Sequence, residues 1–265
     1  MCTFDENGFL EGRIQKWVAD HRERNAELFS SSRRLNRECH RFLDARAVDP
    51  RSDLQVTTSV LFARMMELYQ GIFIVIEHGM MAAGRILFRA HLEAFFYFAA
   101  IHKDPGFLKE YLNQFHIHRK ALVNRIRNCN APDIDEIRER LNDDLISEIE
   151  ETIEEEGIKR ITVEEAAIRA GLHSIYVTAY ALLSGAVHTT PLDLESHLDY
   201  NEQEKSIRQF KYGPSDDETR KVICLAGRVM VEALENISRT FGEDRDKVCG
   251  EMKNMFQDML NKAPV

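Results

Sequence analysis

Four polar-tipped side chains, Tyr176, Tyr180, Ser184 and His188, recur at four-residue intervals inside an apolar stretch. A second set, Arg85, Arg89, Glu93 and Tyr97, recurs at the same interval in the other strongly apolar stretch. On an α-helix a four-residue step advances about 40° around the axis, so each set forms one slowly turning row. Imidazole exchanges protons near neutral pH, and a hydroxyl one turn away can tune it, which suits His188 and Ser184 to acid/base work. A guanidinium offers a fork of N–H donors that matches a carboxylate or phosphate, and a glutamate one turn on can orient it, which suits Arg89 and Glu93. We therefore take His188, Arg89 and Glu93 as catalytic candidates, and Arg85, Tyr97, Tyr176, Tyr180 and Ser184 as ligand contacts. The competing reading is packing. Hydroxyls can bond to nearby backbone, His188 can close a helix end where the dipole favours it, and Arg89–Glu93 can be a structural ion pair.

Other patterns carry less. The basic stretch His116-Ile117-His118-Arg119-Lys120, with Arg125 and Arg127, precedes an acidic segment, and internal charge pairing is the simpler reading. His116 and His118 diverge by about 200° on a helix and make a poor metal site. No thiolate or carboxylate cluster has metal spacing, so no metal and no cofactor is expected. Residues 162–177 have a helix-turn-helix flavour, yet they lead into an apolar Tyr/Ala/Leu helix rather than a base-reading one. Glycine-rich phosphate loops, Gly-x-Ser-x-Gly elbows and His-Glu-x-x-His pairs do not occur, which removes ATPase, α/β-hydrolase and zincin chemistry.

The elements that must position the two rows are helices. The chain has 265 residues, 44% hydrophobic and 30% charged, with six prolines and a net charge of −9. That composition supports one sizeable core and weighs against a broad nucleic-acid surface. Five unpaired cysteines, Cys2, Cys39, Cys129, Cys224 and Cys249, suit a reducing, cytoplasmic setting, and the N-terminus lacks a signal-peptide pattern. Residues 72–101 are the most apolar span, but Glu77, His78, Arg85, Arg89 and Glu93 interrupt it, as in a buried hairpin rather than a membrane span.

Periodicity predicts helices over 11–29 and 31–46, a break at Asp49-Pro50, and a long helix over 53–81 with Val60, Leu61, Met65, Leu68, Ile72 and Val75 on its apolar face. Gly84 is read as a bend before a central helix over 85–102. Asp104-Pro105 opens the next helix, to about Cys129, followed by one peripheral acidic helix over 133–156. Thr162 and Glu165 form a capping-box pattern. Residues 193–217 read as an irregular insertion with room for a short strand pair, and helices resume over 218–241 and 245–260. The fold class is all-α: a multi-helix bundle with a basic N-terminal region, 1–50, packed on a core spanning 51–265, as one domain.

The pattern Arg-Ile-Leu-Phe-Arg-Ala-His-Leu-Glu-Ala, then Tyr111-Leu112 and a basic helix, then Tyr176-x3-Tyr180-x2-Leu183-Ser184-x3-His188, resembles the bacterial helical proteins grouped as domain of unknown function 5677. The resemblance spans roughly Leu54 to Tyr200 and rests most on Arg89-x3-Glu93 and on the Tyr-Tyr-Ser-His helix. It implies the helical fold and the same choice of residues. A looser analogy is to HEPN-like bundles that cleave RNA without metal, with Arg89 or Arg85 and His188 supplied from different helices. The expectation is thus a cytoplasmic helical-bundle protein whose internal polar pocket takes a small anionic ligand or a protein partner, in a stress or phage-defence setting. The alternative is a metal-independent ribonuclease acting on RNA, and a third reading is a homo-oligomer that buries the Tyr176 row.

Overall fold

The computed structural model describes residues 8–262 apart from 11, 13, 142, 202 and 204. Cys2 and the remainder of 1–7 lie outside the described residues. The chain is mostly helical, with one two-stranded hairpin in the insertion.

A 3-10 turn (Gly8–Leu10) is followed by α1 (Ile14–Arg24) and α2 (Ala26–Asp44). The break between them falls at Asn25, not in the expected interval 29–31. The Asn25 side-chain amide donates to the His21 carbonyl at 3.2 Å, competing with the helical ladder as short polar side chains do.

After the Asp49-Pro50 break, α3 (Asp53–Glu77) starts at Ser52, whose side chain accepts from the Gln55 N–H. By length and composition α3 is apolar enough to cross a membrane. Here it lies along α4 (Met81–Lys103), and α12 (Thr219–Thr240) packs on both. Leu61, Phe62, Met65, Tyr69, Ile72 and Ile76 form the buried stripe of α3, whereas Val60, expected in that stripe, is 64% exposed. Phe88, Leu92, Phe95, Phe96 and Phe98 make α4 buried on nearly every side.

The hairpin bends at Gly79, not Gly84. Gly79 has φ +76°, and a Cβ there would lie 2.6 Å from the Trp17 ring and 2.7 Å from Pro214, so both backbone and space demand glycine. Gly84 sits inside α4, where the missing side chain lets Ile76 pack against the helix backbone.

Asp104 ends α4, and its carboxylate accepts from the Gly106 N–H before α5 (Phe107–Arg127) begins. The acidic segment is not one helix. It divides into a 3-10 turn (Pro132–Ile134), α6 (Asp135–Glu139) and α7 (Asp143–Glu155), with Arg138 folded back onto the Cys129 carbonyl. α7 packs on α5 through Val123, Ile146 and Ile149, and Lys120 pairs with Glu150 at 3.0 Å.

Thr162 caps α8 (Val163–Arg169) by accepting from the Glu165 N–H. Past Gly171, at φ +71°, the chain runs through α9 (His173–Ile175), a π-helical segment (Tyr176–Tyr180) and α10 (Ala181–Val187). α8 and α10 both pack on α4.

The insertion holds the short α11 (Pro191–Leu194), then β1 (Leu198–Asn201) and β2 (Ser206–Phe210), antiparallel with Leu198 opposite Phe210 and a register shift after Asp199. α12 and α13 (Asp246–Asn261) close the bundle.

Gly227 of α12 faces Phe256 of α13 so closely that a Cβ would lie 2.7 Å from the ring. Alanine gains about 1 kcal/mol of helix propensity. Overpacking against a fully buried ring costs about 1–3 kcal/mol. Gly227→Ala is therefore expected to lower the urea midpoint without changing the slope of the transition.

Candidate functional site

The two polar rows meet where α4 runs beside the π-segment and α10. Arg89 donates to the Tyr180 hydroxyl oxygen at 2.7 Å and pairs with Glu93 at 3.0 Å. The Tyr180 hydroxyl donates to the same Glu93 oxygen at 3.0 Å. Arg89 also reaches Ser184 at 3.4 Å, and the Ser184 hydroxyl donates to the Tyr180 carbonyl. The result is a closed arginine–tyrosine–glutamate triangle at the joint between two helices. Burial and the Glu93 carboxylate, partly opposed by Arg89, push the Tyr180 phenol up from its usual range, so it stays a neutral donor.

The local helix geometry places these groups. Ala181 N–H bonds to the Tyr176 carbonyl five residues back, the signature of a π-turn. A wider turn takes more residues than an α-turn, so across it a four-residue step no longer overshoots a full revolution as it does in an α-helix. Tyr176 and Tyr180 consequently stack at 5.1 Å and 21°, with Phe96 edge-on to both.

The other residues of the rows go elsewhere. Tyr97 stacks on Phe107 and meets Tyr111 at 5.4 Å, and burial together with nearby Glu93 pushes its phenol up to about 12. His188 ends α10, is exposed, and makes no side-chain hydrogen bond among the described residues. Thr189, at φ 51°, then turns the chain away. The Arg89 guanidinium is directed at Tyr180, Glu93 and Ser184.

Arg85, one turn before Arg89, opens into a cleft of about 250 Å³ between α4, α10, α11 and the start of α12. Its contacts are to Asp193 at 3.3 Å, Ser196 at 3.1 Å and Glu218 at 3.4 Å. All are longer than the 2.7–2.9 Å typical of a charge-assisted hydrogen bond. Its Nε–H is buried and has no acceptor among the described residues. Phe88, Leu182, Leu183, Leu192, Val222 and Leu225 supply apolar walls, and Lys221 lies in the lining with no ion pair among the described residues. Neither Arg89 nor His188 lines this cleft. Asp193, Glu218 and Lys221 were not singled out by spacing. They join Arg85 in the cleft from more than 100 positions away, and no local pattern marks them.

A second polar knot also escaped pattern reading. Glu77, the last residue of α3, is buried, and its carboxylate pairs with Arg22 at 2.8 Å and Arg33 at 2.5 Å. His21 Nδ1 lies 3.2 Å from the Glu77 carbonyl and Nε2 lies 3.2 Å from the Thr219 hydroxyl. A neutral ring donating through Nδ1 and accepting at Nε2 satisfies both, and burial lowers the His21 pKa accordingly. Among the described residues no group of three or more His, Cys, Asp or Glu is placed to hold a metal ion. Cys39, Cys129, Cys224 and Cys249 are free thiols.

His91, on α4 between Arg89 and Glu93, is fully buried, and both ring nitrogens lack partners among the described residues. Burial drives its pKa down to about 3. Between that value and the ordinary 6.5 the unfolded chain binds the extra proton, so stability rises with pH across this window and is lost as pH falls through it.

His91→Leu is expected to flatten the acid limb of a stability-versus-pH curve by about one proton, roughly 1.4 kcal/mol per pH unit, while stability at pH 7 stays equal or rises. For the triangle, Tyr180→Phe should lower stability by about 1–2 kcal/mol. That loss should shrink in an Arg89→Gln background, read as coupling in a double-mutant cycle of urea titrations.

Residues 55–206 match the model of a family of unknown function (DUF5677). The matched span contains both polar rows, the π-segment, the Asp193 turn and β1, and it nearly coincides with the stretch that carries the resemblance in the sequence. No curated protein and no solved structure matches the chain. With more than half of its length covered, including the helices that build the triangle and most of the Arg85 cleft, the chain belongs to the DUF5677 family.

Proposed function

We propose that the protein is a ligand-binding helical module whose Arg85 cleft takes a small anion with an apolar body. The observation that carries this reading is the state of Arg85. It is a mostly enclosed guanidinium with three stretched contacts and a buried Nε–H that has no acceptor among the described residues. Leaving a buried charged donor unmet is costly, so a carboxylate or phosphate entering the cleft gains a prepared partner. Apolar walls favour a hydrocarbon or ring behind the anionic head, and Lys221 adds a second cation. Arg89, by contrast, is held by Tyr180 and Glu93 and serves as the joint that fixes the cleft wall.

Octanoate and phenyl phosphate are suitable probes, with inorganic phosphate as the head group alone. Titration calorimetry is expected to show binding of at least one amphipathic probe, weaker by at least about tenfold in Arg85→Gln and unchanged in His188→Ala. Absence of binding by every probe, or affinity indifferent to Arg85, overturns the reading.

A further inference from the structure

We propose a second binding site, in the pocket between α2 and α3, that takes the base of a nucleotide. The pocket encloses about 190 Å³ and shares no lining residue with the Arg85 cleft, so it stands independently of the proposal above.

Its chemistry begins with two carboxamides. The Gln70 amide nitrogen donates to Asn36 Oδ1 at 3.0 Å and meets His40 Nε2 at 2.8 Å, which fixes which way the Gln70 amide points. Gln70 Oε1 and Asn36 Nδ2 are left without a protein partner among the described residues. An acceptor and a donor on two residues that both line the pocket complement the edge of a nucleobase, which presents donors and acceptors of its own.

The pocket also has a stacking layer. The Arg33 guanidinium lies 4.9 Å above the Phe73 ring and is anchored from behind by Glu77 at 2.5 Å. A guanidinium plane held in place on an aromatic ring is a surface on which a base stacks. Tyr69, 2% exposed, forms another wall.

The phosphate has a place as well. Arg33, Asn36, Arg37 and His40 share one face of α2 by their three- and four-residue spacing. Arg37 is exposed and forms no ion pair among the described residues, so an unpaired cation shares the helix face of Asn36. The recognised class is therefore a nucleoside monophosphate, or a nucleotide within a larger molecule.

Titration calorimetry of the full chain with AMP, GMP, CMP and UMP tests this, with ribose 5-phosphate as the phosphate-only comparator. At least one nucleotide is expected to bind, at least about tenfold more tightly than ribose 5-phosphate. Gln70→Ala should weaken it by at least about tenfold, and Arg85→Gln should leave it unchanged. Asn36→Asp keeps the oxygen that accepts from Gln70 and turns the free donor into an acceptor. It should weaken binding comparably while the circular dichroism and melting curve stay those of the parent, which separates lost recognition from lost folding. Failure of all four nucleotides to bind, equal affinity for ribose 5-phosphate, dependence on Arg85, or affinity within about twofold of the parent in Asn36→Asp each overturns the proposal.

Discussion

A carboxylate buried at the end of the central helix must find cations, and the arrangement of the N-terminal half follows from that requirement. Glu77 is 5% exposed and would be prohibitively costly there unpaired. Arg22 of α1 and Arg33 of α2 supply the two charges. The Glu77 carbonyl and Thr219 hold His21 between them, which brings the start of α12 to the same point. Gly79 then lets Trp17 and Pro214 close over the turn, and its carbonyl accepts from Ser215. Three separate stretches of chain are thus fastened to one bend of the α3–α4 hairpin, and the same Arg33 that neutralises Glu77 forms a wall of the α2–α3 pocket.

The two arginines of α4 show how identical side chains one turn apart acquire different uses. Arg89 meets short-range partners on a helix already packed against α4, and its charge is matched within the triangle. Arg85 looks toward an irregular segment, where Asp193 sits on a four-residue helix and Glu218 precedes α12. Partners on such segments do not close tightly around it, and an apolar cleft stands in front of it. Rigidity at Arg89 and incomplete satisfaction at Arg85 suit one another, because a binding site works best on a wall that does not move.

Much of this was legible in the sequence. Thr162 with Glu165 announces a helix start by chemistry that acts within three residues, and most of the apolar stripe of α3 follows from periodicity. The meeting of Arg89 and Glu93 with Tyr180 and Ser184 was legible for a related reason, since polar tips in apolar stretches need partners and each row could serve the other. What did not show was decided at long range. A glycine in sequence does not reveal what packs over it, so Gly84 looked like the bend that Gly79 makes. The acidic segment kept helical spacing throughout, and spacing alone does not show where Arg138 folds back onto the Cys129 carbonyl. His188 falls on the row by count, yet its exposure follows from the turn at Thr189.

The π-segment has a consequence for the phase of everything after it. In an α-helix each residue turns the chain by about 100°, so one residue absorbed into a wider turn offsets all later positions by that angle relative to an uninterrupted helix. Leu183 and Ser184 therefore face α4 because Tyr176–Tyr180 takes up that residue first. The clocking of the cleft wall is thus set upstream of the cleft, by one loosened turn of backbone.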